Sequence, residues 1–429
     1  MKILNTQSLS PEKILAEIAD ARLQAEQRTE VVRPILSAVR ERGDEAVCEY
    51  TARFDGWDGL QLRVSQTEIA EAYELLAPDI LEAIKVAIQN IECFHKGILV
   101  EKDAPIETQP GVSIWREFRA IDRVGLYVPG GKAAYPSTVL MLAIPARVAG
   151  VKSMAMCTPA SKEGKCNPAV LVAADLCGVN EIYKVGGAQA IGAMAYGTES
   201  IPKVYKIFGP GNSFVTTAKI LVYGDVDIDM PAGPSEVAIL ADDSANPEWV
   251  AADLLSQLEH GEDSQALLVC FSETFAQSVI AAMEEQTLSL SRAPIIRESF
   301  SKSFAVIVKD EAEATSILNE YAPEHLELVL SSQEKEADIL TQVQNAGSVF
   351  LGAYSSEPLG DYAAGSNHTL PTSGYAKMFS ALSTDSFGKR MQVQRVSRQG
   401  ITGLRNTVTT LAGAEGLDAH ANAVNIRFK

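Results

Sequence analysis

Val124-Gly125-Leu126-Tyr127-Val128-Pro129-Gly130-Gly131 is a short apolar run closed by proline and glycine, the pattern of a buried strand that ends in a tight turn. The pattern recurs at Ser153 to Cys157, Glu181 to Val185 and Val204 to Phe208, each time followed by a turn and a helical stretch, out to about Pro231. Strands that alternate with helices in this way pair in parallel through crossover helices. A second alternating run begins at Ser235-Glu236-Val237-Ala238-Ile239-Leu240 and continues with strands near Ala266 to Cys270, Phe304 to Val308, Leu326 to Leu330 and Ser348 to Leu351. The expected fold class is α/β, with two adjacent parallel sheets and a cleft between them. In such sheets ligands bind beyond the carboxyl ends of the strands. No internal sequence repeat relates the two runs.

Outward from these runs, Ser10 to about Lys102 reads as helical throughout. Ser10-Pro11 forms a cap and first position, Arg42-Gly43-Asp44 a break, and Ser65-Gln66-Thr67-Glu68 a capping-box start. Gly360 to Gly374 is loop-like, and from about Asp385 the chain is expected to be helical to its end. Four parts are therefore expected: residues 1–105, helical and packing on the second α/β domain; 106–234, the first α/β domain with its glycine loops; 235–376, the second α/β domain; and 377–429, a separate helical arm.

Lys plus Arg number 37 against 55 Asp plus Glu, a net charge of −18. Such a surface repels phosphate backbones and anionic lipids, so neither nucleic acid nor a membrane is expected as partner. Met1 to Gln7 holds no signal-peptide core, and no apolar run approaches the roughly 18 residues of a membrane helix. Cys48, Cys93, Cys157, Cys166, Cys177 and Cys270 form no C-x-x-C pair and read as buried free thiols in a reducing cytoplasm.

Three glycine loops follow strands: Tyr127 to Gly131, Val185-Gly186-Gly187-Ala188-Gln189, and Phe208-Gly209-Pro210-Gly211-Asn212. Glycine lets the backbone approach a ligand, and a helix starting just beyond offers free N–H groups. A dinucleotide could lie across them, although no G-x-G-x-x-G occurs and structural turns have the same composition. Gln257 and His260, three apart at the end of an amphipathic helix whose apolar side is Trp249, Leu254, Leu255 and Leu258, project from one face. With Asp361 and His368 in the loop Gly360 to Thr372, they could complete a nitrogen and oxygen shell for a zinc-like ion, or be ordinary polar loop residues. Glu324 and His325 stand side by side at a strand start, a general-base pair if that start is irregular and otherwise a surface pair at a strand edge. His95, among apolar residues at helical spacing, reads as a packed or surface histidine without chemistry.

Taken together, Gly233-Pro234-Ser235-Glu236, Ser256-Gln257-Leu258-Glu259-His260-Gly261, Pro323-Glu324-His325-Leu326, Gly360-Asp361-Tyr362 through Pro371, and Ala414-Glu415-Gly416-Leu417-Asp418-Ala419-His420 resemble the histidinol dehydrogenase family, from about Gly43 to Asn425. The resemblance implies two incomplete Rossmann-like, aldehyde-dehydrogenase-like parallel-sheet domains, with the C-terminal arm serving dimerisation. It implies one zinc ion per active site, held by residues matching Gln257, His260, Asp361 and His420, with His420 reaching the active site of the other subunit of a homodimer. Substrate contacts implied for L-histidinol are Ser235, Gln257, His260, His325, Asp361, His368, Glu415 and His420, and NAD contacts are Tyr127, Gln189 and Asn212. The implied reaction is the NAD-linked oxidation of L-histidinol to L-histidine through the aldehyde, the last steps of histidine biosynthesis. His325 is the expected base and Glu324 the expected activator of water.

Overall fold

The computed structural model describes residues 1–22, 28–130, 134–231 and 233–429; Gly131 of the first glycine loop lies outside the described residues. Arg123–Tyr127 is the centre of a five-stranded sheet. Ser153–Cys157 and then Glu181–Tyr183 lie on one side of it, Lys206–Phe208 and then Asp227–Ile228 on the other, all parallel. Glu236–Ala241 plays the same part in a second sheet, with Gln265–Cys270 and Phe304–Ile307 on one side and His325–Val329 and Ser348–Leu351 on the other. Each sheet winds outward from its first strand and then reverses, so the two share a strand order without a shared sequence. The expected α/β class with two parallel sheets is the fold adopted. No helix among the described residues is long and apolar enough to cross a membrane.

The helical N-terminal part divides between the two sheets. Lys2–Asn5 is a strand, pairing in parallel with Phe304–Ile307 at the edge of the second sheet, and Pro11–Arg22 packs on Glu311–Tyr321. The remaining helices pack on the first sheet instead of the second, which corrects the expectation for residues 1–105. Thr29–Arg42 and Asp44–Asp55 cover Gly187–Tyr196, Gln66–Leu75 covers Pro168–Leu176, and Pro78–Ile98 covers Pro136–Ala149. Ile35, Leu36 and Val39 are buried, and a side chain on Gly192 would meet Leu36 and Val39. A helical stripe states which face is apolar, and only its partner's shape decides where that face goes.

Gly43, at φ +54°, separates the helices ending at Arg42 and starting at Asp44, as the sequence predicts. Ser65 and Glu68 close the expected capping box. Glu68 also meets the buried Lys184 at 2.7 Å beyond the strand Glu181–Tyr183. Ser65→Ala is expected to lower unfolding stability by ~1 kcal/mol, measured as the shift in a denaturant midpoint at unchanged slope. His95 is fully buried beside Thr384, and burial holds its imidazole down at about 4, so it is a neutral packing residue.

The C-terminal part departs from its expected all-helical form. Gly388–Val396 is a strand, antiparallel to Val112–Ala120 in a third sheet completed by Ile106–Gln109. Lys389, Arg390, Gln392, Gln394 and Arg395 leave that strand no apolar face, so period-2 patterning is missing and backbone pairing sets it. Arg398–Ala414 and Asp418–Asn425 then pack on each other, with Leu411, Leu417 and Ile426 exposed. Two smaller expectations also change. Trp249 is half exposed and rests on Tyr354. All six cysteines are free, but Cys93 is exposed and Cys48 and Cys166 are only partly buried.

Candidate functional site

The polar residues of the glycine loops of the first sheet lie at the carboxyl ends of its strands. Strand order reverses between Arg123–Tyr127 and Lys206–Phe208, and a crevice opens beyond the strand ends at such a reversal. Tyr127 is the last residue of its strand and its hydroxyl accepts the N–H of Gly187 at 3.1 Å. Gly187 sits at φ +64°, and Gln189 follows in the helix Gly187–Tyr196, fully buried, with neither amide atom given a partner among the described residues. Asn212 caps Ser213–Val222, its oxygen accepting the N–H groups of Phe214 and Val215 at 3.1 Å each.

The third glycine loop is held rigid from below. Gly209 has φ +127°, and a Cβ there would lie 2.0 Å from the Tyr127 carbonyl oxygen, so only glycine fits. Its N–H donates to Asp229 at 2.7 Å and its carbonyl accepts from Lys219 at 2.9 Å, while Lys219 and Asp229 form a buried ion pair. A buried pair contributes little net stability. Here it fixes both polar groups of one loop residue.

The second sheet inverts the rule. Its polar cluster gathers at the amino ends of Glu236–Ala241 and His325–Val329, the two strands between which the order reverses. Gln257 arrives there from the last turn of Pro247–Leu258, because a crossover helix ends where the next strand begins. Its amide nitrogen lies 2.9 Å from His325 Nδ1, 3.2 Å from the Glu236 carbonyl oxygen and 3.3 Å from Glu324 Oε2. Glu324 Oε2 also accepts the Glu236 N–H at 2.9 Å. Both members of the Glu324-His325 pair thus reach one point, although the strand start at His325 is regular, because Glu324 lies just before it in the short link after Ala322, the left-handed C-cap of Glu311–Tyr321 at φ +50°. They are buried, which removes the surface-pair reading.

Asp361 comes from Glu357–Tyr362, a short helix that runs back along His325–Val329. Asp361 Oδ1 lies 3.5 Å and Glu357 Oε1 3.7 Å from His325 Nε2. The start of this helix is anchored by its Glu357 N–H to Glu327 Oε1 at 2.8 Å, by Ser256 Oγ to Glu357 Oε2 at 2.9 Å and by Ser356 Oγ to Asp253 Oδ1 at 2.6 Å. Glu357 went unremarked in the sequence. Its spacing of four from Asp361 on one helical face was the available signal. His368 joins the cluster to the other sheet, with Nδ1 3.0 Å from the Asp361 carbonyl oxygen and Nε2 3.2 Å from Thr138 Oγ1.

Electrostatics divide these groups. Burial opposes charge on His325, but the carboxylates of Glu324, Asp361 and Glu357 outweigh it and raise the imidazole to about 10. Burial pushes Glu324 up to about 8, against the pull of His325, and Glu357 likewise to about 8. Although burial works against it, Asp361 is held well below the carboxylate range by His325 and His368. Burial lowers His260, which Asp361 faces and partly compensates. Gln257 Oε1, His325 Nε2, Glu357 Oε1 and Asp361 Oδ1 are buried without a hydrogen-bond partner among the described residues. His325, Glu357 and Asp361 bring ligand atoms within 4.8 Å of one another.

Of the residues singled out in sequence, Gln257, His260, Glu324, His325, Asp361 and His368 thus come together. Ser235 immediately precedes Glu236, its carbonyl accepting the Gln265 N–H at 3.1 Å. Glu415, in the turn between Arg398–Ala414 and Asp418–Asn425, and His420, in the first turn of the second helix, stand apart and are exposed.

Residues 19–428 match the family model described as histidinol dehydrogenase. The chain is 50% identical over 408 residues to the histidinol dehydrogenase of Bacteroides fragilis, covering 95% of this chain and 94% of that one. It is 48% identical over 410 residues to that of Methanothermobacter thermautotrophicus, covering 95% of each. A crystal structure of histidinol dehydrogenase from Elizabethkingia anophelis superposes with a TM-score of 0.94 at 44% identity, covering 100% of this chain and 98% of that one. Family match, relatives and solved structure agree over nearly the whole chain, which belongs to the histidinol dehydrogenase family of oxidoreductases.

Proposed function

We propose that the chain carries out the zinc-dependent, NAD-linked four-electron oxidation of L-histidinol to L-histidine through L-histidinaldehyde, as a cytoplasmic homodimer. The observation that carries this reading is the convergence of buried, unpartnered polar atoms beside His325. Unpaired buried polar atoms cost free energy, so a cluster of them favours a ligand that satisfies them. Gln257 Oε1, Asp361 and the neighbouring His260 form an oxygen and nitrogen set suited to zinc. Three ligands leave one position open, which fits a fourth, His420, arriving from a second copy of the chain, since His420 is exposed on an arm carrying uncovered apolar residues. Bound zinc would give the nitrogen atoms of the substrate a fixed anchor.

The residues of the chain then divide the chemistry. His325 takes the hydroxyl proton at Nε2, the ring atom left open while Nδ1 is held by Gln257 and the Glu236 carbonyl. Bound NAD, which Tyr127, Gln189 and Asn212 of the first sheet would hold, would supply the acceptor for hydride from the carbon that carries that hydroxyl. Glu324 removes a proton from water as its oxygen adds to the aldehyde, and His325 repeats its part on the hydrate. Ser235, His368 and Glu415 complete the substrate contacts. In sum, L-histidinol, two NAD⁺ and water give L-histidine, two NADH and protons. Free thiols throughout suit a reducing compartment.

Limiting L-histidinol mixed with excess NAD⁺ is expected to yield two NADH per substrate. The yield should disappear with a zinc chelator and return with zinc. A folded, zinc-loaded protein that makes no NADH would move the reading to another amino alcohol or polyol, and an active monomer would remove the shared site.

A further inference from the structure

A half-buried acid beside the second glycine loop has no part in the reaction above. Asp55 ends the helix Asp44–Asp55, and Gly56 follows in the left-handed region at φ +72°. This turn delivers the Asp55 carboxylate from the N-terminal helices to the carboxyl edge of the first sheet. A Cβ on Gly186 would lie 3.4 Å from Asp55 Oδ2, so the acid stands against the Gly186-Gly187 turn that Tyr127 caps. Asp55 Oδ2 is buried and has no hydrogen-bond partner among the described residues.

Gln189 supplies the second observation. It is 0% exposed, both atoms of its amide lack partners among the described residues, and its Oε1 lies 2.7 Å from where a Cβ on Gly187 would be. Two side chains from different elements thus leave unsatisfied polar atoms around one turn at the carboxyl edge of the first sheet, which Tyr127 ties to the strand-order reversal where ligands bind. An acceptor oxygen, Asp55 Oδ2, with no hydrogen-bond partner among the described residues, beside an amide that offers both a donor and an acceptor, matches a ligand rich in hydroxyl groups. The vicinal diol of a ribose is such a group, and a carboxylate that accepts from its 2′-hydroxyl repels a phosphate in the same position.

We propose that Asp55 is a cofactor-binding residue that accepts the ribose hydroxyls of NAD and selects NAD over NADP. This rests on the reading of Tyr127, Gln189 and Asn212 as the NAD residues. Burial raises the Asp55 carboxyl above its ordinary range, and the nearby Gly186 N–H pulls it only partly back.

NADH and NADPH fluorescence titrations of the unmodified protein, Asp55→Ala and the isosteric Asp55→Asn test this, with unliganded melting temperatures recorded alongside. The unmodified protein should bind NADH more tightly than NADPH. Both variants should lose at least about tenfold in NADH affinity and most of the discrimination against NADPH, and Asp55→Asn carries the test if Asp55→Ala does not fold. Unchanged NADH affinity and discrimination in Asp55→Asn would overturn the proposal, as would an equal loss for both nucleotides, which marks a support residue. If the unmodified protein binds neither nucleotide, the cofactor reading itself fails first.

Discussion

His325→Asn is expected to lower turnover at least about a hundredfold while the zinc content stays the same. The substitution is selective. Asparagine keeps a polar atom near the position of Nδ1, where Gln257 and the Glu236 carbonyl lie 2.9 Å and 3.2 Å away, and removes the atom at Nε2. Nε2 is the only ring position facing Asp361 and Glu357. Those acids, with Glu324, stabilise the positive charge that His325 gains on taking the proton. Because the proposed zinc ligands are other residues, metal analysis of the purified variant separates loss of the base from loss of the metal. Near-normal turnover would take His325 out of the mechanism.

Glu324→Gln is expected to spare the first oxidation and slow the second at least about a hundredfold. A glutamine oxygen can still accept the Glu236 N–H that Glu324 Oε2 accepts at 2.9 Å, so the local backbone keeps its partner. It cannot take a proton from water. Rapid-mixing NADH traces should show one equivalent formed at nearly the normal rate and a delayed second, and L-histidinaldehyde supplied directly should be oxidised as slowly as that second phase. Equal slowing of both steps would make Glu324 a support for Gln257 and His325 instead of the activator of water.

Much of this was legible before folding because it is local. Short apolar strands, glycine stops and the Ser65 to Glu68 box each express the conformational preferences of a few neighbouring residues. The Gln257 and His260 pair was legible as near neighbours, but the helix stops at Leu258, and a turn in which the His260 N–H donates to the Gln257 carbonyl carries His260 beyond it. Glu357 and Asp55 were not singled out. An isolated acid in sequence looks solvated, and only burial against distant segments turns it into an acceptor in need of a donor. Gly388–Val396 was misread because a strand polar on both faces carries no period, its pairing being made by backbone groups common to every residue.

By itself, then, the sequence determined the α/β alternation, the two parallel sheets and the motifs that mark the family, since periodicity and turn chemistry act within a few residues. Tertiary structure decided the rest. It placed the N-terminal helices on the first sheet, put the second sheet's cluster at the amino ends of its strands, and left His420 exposed, away from the other proposed ligands. An apolar face or a carboxylate specifies only what kind of surroundings it requires. Which surroundings it receives depends on the packing of segments hundreds of residues apart.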